Sequence, residues 1–224
     1  RRASDLIFTN GTTFMTRTIL LATSNEHKLD EVRQMLTPLG FAVEGLDSVA
    51  LSIPEPVEDG ATFEENARIK ALGYARAVGR TCLADDSGLE VDILEGAPGI
   101  HSDRFAGIDG SRAERDAANN AKLVSELRSR SAEDALARFV CSMCLAAPDG
   151  TVLAETRGEF EGVIVTEPRG ENGFGYDPYL FIPDLGCTSA ELDSAAKNAR
   201  SHRGDAVRRM AVLLESIELQ PDGD

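Results

Sequence analysis

Apolar positions along the chain fall into strand-length runs that alternate with helical stripes. Thr18–Ala22 is an apolar strand that runs through Thr23-Ser24-Asn25 into a helix over Glu26–Leu39. There Leu29, Val32 and Leu36 recur at helical spacing, and Gly40 stops the helix. Residues 45–61, with Pro54, Pro56 and Gly60, read as loop. Thr62 and Glu65 fit a capping box ahead of the stripe Phe63, Ala67, Ala71, Tyr74 and Val78, and Gly79 fits a C-terminal cap. A short strand, Thr81–Ala84, ends in Asp85-Asp86-Ser87-Gly88, and a long glycine-containing connection over 89–110 follows.

Ser111 and Glu114 open another capped helix that reaches about Arg128. Strands over 136–147 and 151–157 meet at Pro148-Asp149-Gly150, a hairpin signal, and Phe160–Thr166 forms a further strand. Pro168–Pro178 is rich in glycine, Tyr179–Ile182 is a short strand, and helices over about Ser189–Ala199 and Arg203–Leu219 close the chain. Helices and strands interleave around a central hairpin, which predicts an α/β fold with a mixed sheet. Residues 1–14 show no periodicity, and Leu6-Ile7-Phe8 is too short for a signal-peptide core. They read as an N-terminal appendage outside the fold, with one domain over 15–224.

Composition narrows the function. The chain has 224 residues, 42% hydrophobic, enough to bury a single large core. No apolar run approaches the roughly 18 residues of a membrane span. The 38 acidic residues against 23 basic ones leave a net charge of −15, which repels nucleic acid polymers but not a small anion held by a local cluster of cations. Cys141 and Cys144 are spaced as C-x-x-C, yet on a strand they point to opposite faces and cannot share a metal. They and Cys82 and Cys187 are expected to be free thiols, as in a reducing cytoplasm.

Four segments carry candidate chemistry. Thr23-Ser24-Asn25-Glu26-His27-Lys28 lies between a strand and a helix start, where backbone N–H groups, the dipole and Lys28 suit phosphate; an ordinary helix cap explains the same residues. Asp85-Asp86-Ser87-Gly88 places two carboxylates directly after an apolar strand, which suits a hard cation or a solvated turn. In Gly170–Pro178 the glycines admit a flat ligand and Phe174 or Tyr176 can stack on a base; a flexible loop is the alternative. Lys197, His202 and Arg203 set three cationisable groups near a helix start, where the dipole disfavours them unless an anion or solvent faces them.

Taken together these segments resemble the inosine triphosphatase family, pyrophosphatases of non-standard purine nucleoside triphosphates. The resemblance runs from Ile19 to about Leu214 and rests on Leu21–Lys28, Thr62–Ala67, Ala84–Leu89, Gly96–Ile100, Phe174–Pro178 and Ser201–Gly204. Ser24 stands where many members carry glycine. The resemblance implies a two-lobed fold with a long mixed sheet and a cleft, a homodimer, Mg²⁺ dependence, and cleavage of ITP, dITP or XTP to monophosphate and pyrophosphate. It implies that Thr23, Ser24, Asn25, Glu26, His27 and Lys28 bind the triphosphate. Asp86 would be the acid–base residue and a metal ligand with Glu58, and Ser87 would contact substrate. Phe174, Gly175, Tyr176, Asp177, Lys197, His202 and Arg203 would hold the nucleotide. On this reading Lys28 and Lys197 stabilise the leaving group, and Arg203 is the candidate donor to the oxygen at C6 of the base.

Overall fold

The computed structural model describes residues 8–9, 12–13, 17–49, 53–132 and 134–217. Among the described residues seven strands form one mixed sheet. They are β3 (Arg17–Leu21), β4 (Phe41–Glu44), β5 (Cys82–Val91), β6 (Ala135–Ala146), β7 (Val152–Ile164), β8 (Leu180–Ile182) and β9 (Cys187–Thr188), in the order β4-β3-β5-β6-β7-β8-β9. β3 runs parallel to β4 and β5, and every later pairing is antiparallel. The helices are α1 (Glu26–Leu36), α2 (Phe63–Val78), α3 (Arg112–Ser129), α4 (Ser194–Arg200) and α5 (His202–Leu214). Within residues 1–14, β1 (Phe8–Thr9) pairs with β2 (Thr12–Thr13) in a two-stranded sheet separate from the main one. The other residues of that segment, like those after 217 in the last expected helix, lie outside the described residues.

The capping residues act as their types dictate. Thr62 Oγ1 accepts the Glu65 N–H at 3.2 Å and Gly79 ends α2 in the left-handed conformation. Glu65 reaches back to the N–H of Ala61 at 2.6 Å rather than to that of Thr62, so the box closes one residue early. At Ser111 both halves of the capping box are present. Cys141 packs among residues under α1 and α5 and Cys144 among residues under α2, on opposite faces, and all four cysteines are free.

Four expectations need correction. The helix expected over about Ser189–Ala199 begins as a separate 3₁₀ turn, Ser189–Glu191, and α4 starts only at Ser194. Phe41–Glu44, unassigned in the sequence, is an edge strand. The two strands expected at 151–157 and 160–166 are one strand, β7. Gly158 is no break: a Cβ there would lie 2.2 Å from the His202 carbonyl oxygen, so glycine lets α5 pack directly on the sheet. The largest difference is at Asp85–Gly88, which is neither turn nor strand end. β5 continues through it, pairing Asp85 with Met143, Asp86 with Ser142 and Gly88 with Val140. Gly88 is there because a Cβ would sit 2.4 Å from Ser102 Oγ and 2.6 Å from the Gly99 carbonyl oxygen, in the 3₁₀ segment Gly99–Arg104 that crosses the strand.

Two core clusters share one face of the sheet. One packs Ile19, Leu21, Val32, Leu36, Met143 and Val207 beneath α1 and α5; the other packs Leu89, Val91, Leu123, Leu127 and Phe139 beneath α3. Between them, along the middle of β5, lie Asp85 and Ser87. α2 covers the opposite face over Cys82, Ala84, Cys144 and Ala146. Among the described residues β3 pairs with β5 only at Cys82 and Leu83, so from Asp85 onward that side of β5 has no strand neighbour among them.

Candidate active site

A cavity of ≈ 310 Å³ opens where the β3 side of β5 is uncovered, bounded by the Thr23–Asn25 turn, α2, the 99–104 segment, α3, the glycine loop and the start of α5. Strand alternation sends the adjacent carboxylates of Asp85 and Asp86 to opposite faces, so they do not share one cation as side-by-side turn acids would. Each has its own cationic partners.

Asp85 is buried and its Oδ2 meets Lys28 Nζ at 2.9 Å and Arg203 Nη2 at 3.5 Å, and accepts from Ser87 Oγ at 3.1 Å. Burial pushes its carboxyl up, but Lys28, Arg203 and Lys70 together outweigh that and hold it well below the ordinary range. Asp86 faces α2. Its Oδ1 accepts from Lys70 Nζ at 3.1 Å and its Oδ2 from Asn66 Nδ2 at 3.3 Å. Lys70 Nζ also meets Glu58 Oε2 at 3.2 Å, so one ammonium sits between two carboxylates. Burial raises the Glu58 carboxyl above its usual value, with Lys70 lowering it and Asp86 raising it.

The phosphate-turn candidates divide. Thr23, Ser24, Asn25 and Lys28 line the cavity; Asn25 Oδ1 caps α1 by accepting the His27 N–H at 3.1 Å, and Thr23 Oγ1 accepts the Asn25 N–H at 3.2 Å. Glu26 and His27 are exposed. His27 stacks on Phe174 with centroids 5.3 Å apart.

The glycine loop is a fixed wall. Asp177 Oδ2 accepts the Phe174 N–H at 2.8 Å and pairs with Lys197 Nζ at 2.7 Å, and its Oδ1 accepts from Ser189 Oγ at 2.8 Å. The Gly175 N–H donates to Asp116 and its carbonyl oxygen accepts from Asn120, so α3 grips the loop. Phe174 is half-buried and turned toward the cavity. Tyr176 is packed in the core beneath α3 with its hydroxyl donating to the Ser102 carbonyl at 2.8 Å, so of the two rings Phe174 is the one less buried.

The start of α5 is deeply buried. Arg203 is 1% exposed. Its Nη1 pairs with Glu31, its Nη2 donates to Ser87 Oγ at 2.9 Å, and its Nε has no hydrogen-bond partner among the described residues. Glu31, on α1, also binds Lys197 at 3.2 Å. Burial opposes the Glu31 charge, but Arg203 and Lys197 hold its carboxyl below the usual value. His202 stacks on Phe139 at 5.0 Å, and its Nδ1 lacks a hydrogen-bond partner among the described residues. Burial, then Arg203 and Lys197, push its imidazole well below the ordinary histidine value, which favours the neutral ring.

Sequence reasoning missed Lys70, Asn66, Glu31 and Arg112 in this cavity and its walls. Asn66 and Lys70 left a readable trace: they are spaced i, i+4 beside Phe63, Ala67 and Ala71, two polar residues on the stripe that faces the core.

The parted core clusters of this α/β scaffold leave a cavity lined by carboxylates and inward-facing cations, a lining of the kind that can hold a small polyanion. The chain belongs to the Ham1 family, whose model matches residues 19–213. It is 50% identical over 192 residues to a dITP/XTP pyrophosphatase of Exiguobacterium sp., covering 86% of this chain and 94% of that one. Among solved structures, a HAM1 protein from Coxiella burnetii matches with a TM-score of 0.79 and 37% identity over 90% of this chain and 100% of that one. The Staphylococcus aureus Ham1 protein matches with a TM-score of 0.74 and 36% identity over 89% and 99%.

Proposed function

We propose that this chain is a nucleoside triphosphate pyrophosphatase that converts ITP, dITP and XTP to their monophosphates and pyrophosphate, clearing deaminated purines from the nucleotide pool. The observation that carries the reading is the cavity itself. In a chain of net charge −15, seven Lys and Arg side chains, Lys28, Lys70 and Arg203 among them, line one cavity, matched by seven Asp and Glu that include Asp85, Asp86 and Glu58. Such a concentration of cations suits a triphosphate, and the carboxylates among them suit a hydrolytic centre.

Glu58 and Asp86 fit a divalent cation. Their oxygens meet at the Lys70 ammonium, 3.2 and 3.1 Å from its Nζ, so both face one cation, and oxygen donors match Mg²⁺. When bound by these two carboxylates, Mg²⁺ would neutralise phosphate charge. Among the described residues no group of three such side chains converges, so substrate and water would complete the shell.

The chain's own residues then divide the work. Thr23, Ser24 and Asn25 bind the phosphates through backbone and side-chain donors at the start of α1. Lys28 and Lys70 oppose the charge that builds on departing pyrophosphate. Asp86 orients a water toward the α-phosphorus through its Oδ2 and takes its proton. Phe174 stacks on the base. Lys197 belongs to this nucleoside end rather than to the leaving group, since its Nζ lies 5.2 Å from the Phe174 centroid and is tied to Asp177 and Glu31. Ser87, bonded to both Asp85 and Arg203, links the two ends.

We take the working domain to be 15–224, the cavity to be the cleft between two lobes, the active form to be a homodimer, and the location to be the cytoplasm. The free thiols accord with that compartment. Light scattering tests the dimer. The activity is tested by Asp86→Asn, which keeps volume and removes the charge. Pyrophosphate release from ITP should fall about 100-fold or more, whereas turnover near the wild-type rate with unchanged Mg²⁺ demand would refute the assignment of this centre.

A further inference from the structure

Arg112 is the first residue of α3, where the helix dipole disfavours a cation, so helix stability does not account for it. It lines the cavity, with its guanidinium carbon over the Phe174 ring at 5.1 Å from the centroid. Arg112, Lys197 and Arg203 all lie over that ring, but they differ in what they have left to give. Lys197 is held by Asp177 and Glu31, and Arg203 by Glu31 and Ser87. Arg112 meets its carboxylates only at 3.6 Å, Nη1 with Asp103 and Nε with Asp116. Both distances exceed hydrogen-bond reach, and its buried Nε has no hydrogen-bond partner among the described residues. A planar fork of donors is thus held at the base wall with no hydrogen bond to another of the described residues.

We propose that Arg112 is a specificity-determining residue whose guanidinium donates to O6 and N7 of a 6-oxopurine stacked on Phe174. The inference rests on the pyrophosphatase reading above and names a residue that reads the base. A group over an aromatic ring occupies the layer of a base stacked on that ring, so the guanidinium meets the base at its edge. Hypoxanthine and xanthine present two acceptors there, O6 and N7, at the spacing a guanidinium fork spans. Adenine presents N7 and an amino donor, which leaves one arm of the fork unpaired against another donor. The reader and the wall are set by one helix: the Gly175 N–H donates to Asp116 at 3.1 Å and Asn120 Nδ2 donates to the Gly175 carbonyl at 2.9 Å. Arg203 already directs one terminal nitrogen to Glu31 and the other to Ser87, which limits what it can turn toward the base.

The test uses ITP and 7-deaza-ITP, in which N7 is replaced by C–H, on the full chain and its Arg112→Ala and Arg112→Lys variants. In the wild type, loss of N7 should lower kcat/KM by about tenfold, within the roughly 5- to 150-fold of a broken bidentate pair. Arg112→Ala should lower kcat/KM for ITP by a similar factor and respond little to the loss of N7. Arg112→Lys keeps the charge beside Asp103 and Asp116 but not the fork; it should show the same insensitivity and carries the test if the alanine variant does not fold. An equal 7-deaza penalty in wild type and variants, or no penalty in a wild type that hydrolyses ITP, would overturn the role of Arg112. Absence of any pyrophosphate release from ITP by the wild type would instead overturn the pyrophosphatase reading.

Discussion

Lys70→Met removes the ammonium between Glu58 and Asp86 while keeping an unbranched side chain of similar length. Lys70 is 9% exposed at its side chain, Asp86 11% and Glu58 22%, so two carboxylates are left facing one point with little water. Breaking a buried pair costs about 3–5 kcal/mol. Partial solvation of Glu58 lowers this to about 2–4 kcal/mol. At about 2–4 °C per kcal/mol for a chain of this size, the melting temperature should fall by about 5–15 °C without divalent cation. Mg²⁺ should then recover part of the loss, because it can replace the missing charge. At 100 times its Kd the gain would be about 2.7 kcal/mol. The wild type should gain less, since Lys70 already compensates the pair. The pH dependence follows the same logic. Burial already raises the Glu58 carboxyl above 4.5 and Lys70 opposes that, so the variant raises it further. The folded state then holds a proton that the unfolded state has lost, and stability falls as pH rises through the window above 4.5. Calorimetric melts of both proteins, with and without Mg²⁺ across this range, provide the measurement. A variant that melts with the wild type without metal, or gains no more from Mg²⁺, would refute the reasoning.

Gly173→Ala should destabilise the chain by about 1–2 kcal/mol from backbone conformation alone and raise KM for ITP. Gly173 has φ +77°, and a Cβ would lie 2.1 Å from Asp177 Oδ2, which cannot yield without loosening Phe174 and Lys197; a variant with unchanged melting and KM would contradict this. Asp85→Asn should be least tolerated at neutral pH. The Asp85 carboxyl is depressed in the folded state, so its contribution is present above the ordinary value of 3.8 and lost as pH falls below it. The gap in stability between variant and wild type should close in acid, and a gap independent of pH in chemical denaturation would show that the pairing with Lys28 and Arg203 carries no weight.

Much of this architecture was legible in local pattern, and the exceptions share a cause. The caps at Thr62 and Ser111, the stripe of α2 and the hairpin at Pro148–Gly150 depend on neighbours within a few residues. The passage of β5 through Asp85-Asp86-Ser87-Gly88 does not. Two acids and a glycine look like a turn until Lys28, Lys70, Asn66 and Arg203, from three helices, offset the cost of burying them. Gly88 and Gly158 read as breakers because the chain that presses on them is distant in sequence. His202 reads as cationisable from sequence, and its burial against Phe139, with Arg203 and Lys197 beside it, lowers its imidazole well below the ordinary value. Of the segments that resemble the family, all but Thr62–Ala67 line one cavity, and that one reaches it through the hydrogen bond of Asn66 to Asp86. Their partners, such as Glu31 for Arg203 at 172 residues' separation, could not be read from spacing.

The central claim is attack at the α-phosphorus, and the isotope fate of one turnover tests it. ITP is hydrolysed in H₂¹⁸O with Mg²⁺ and the products are resolved by ³¹P NMR. The account predicts IMP carrying the ¹⁸O label and unlabelled pyrophosphate, because Asp86 aims water at the phosphorus next to the nucleoside. Label in the pyrophosphate, or IDP and orthophosphate as the first products, would contradict it.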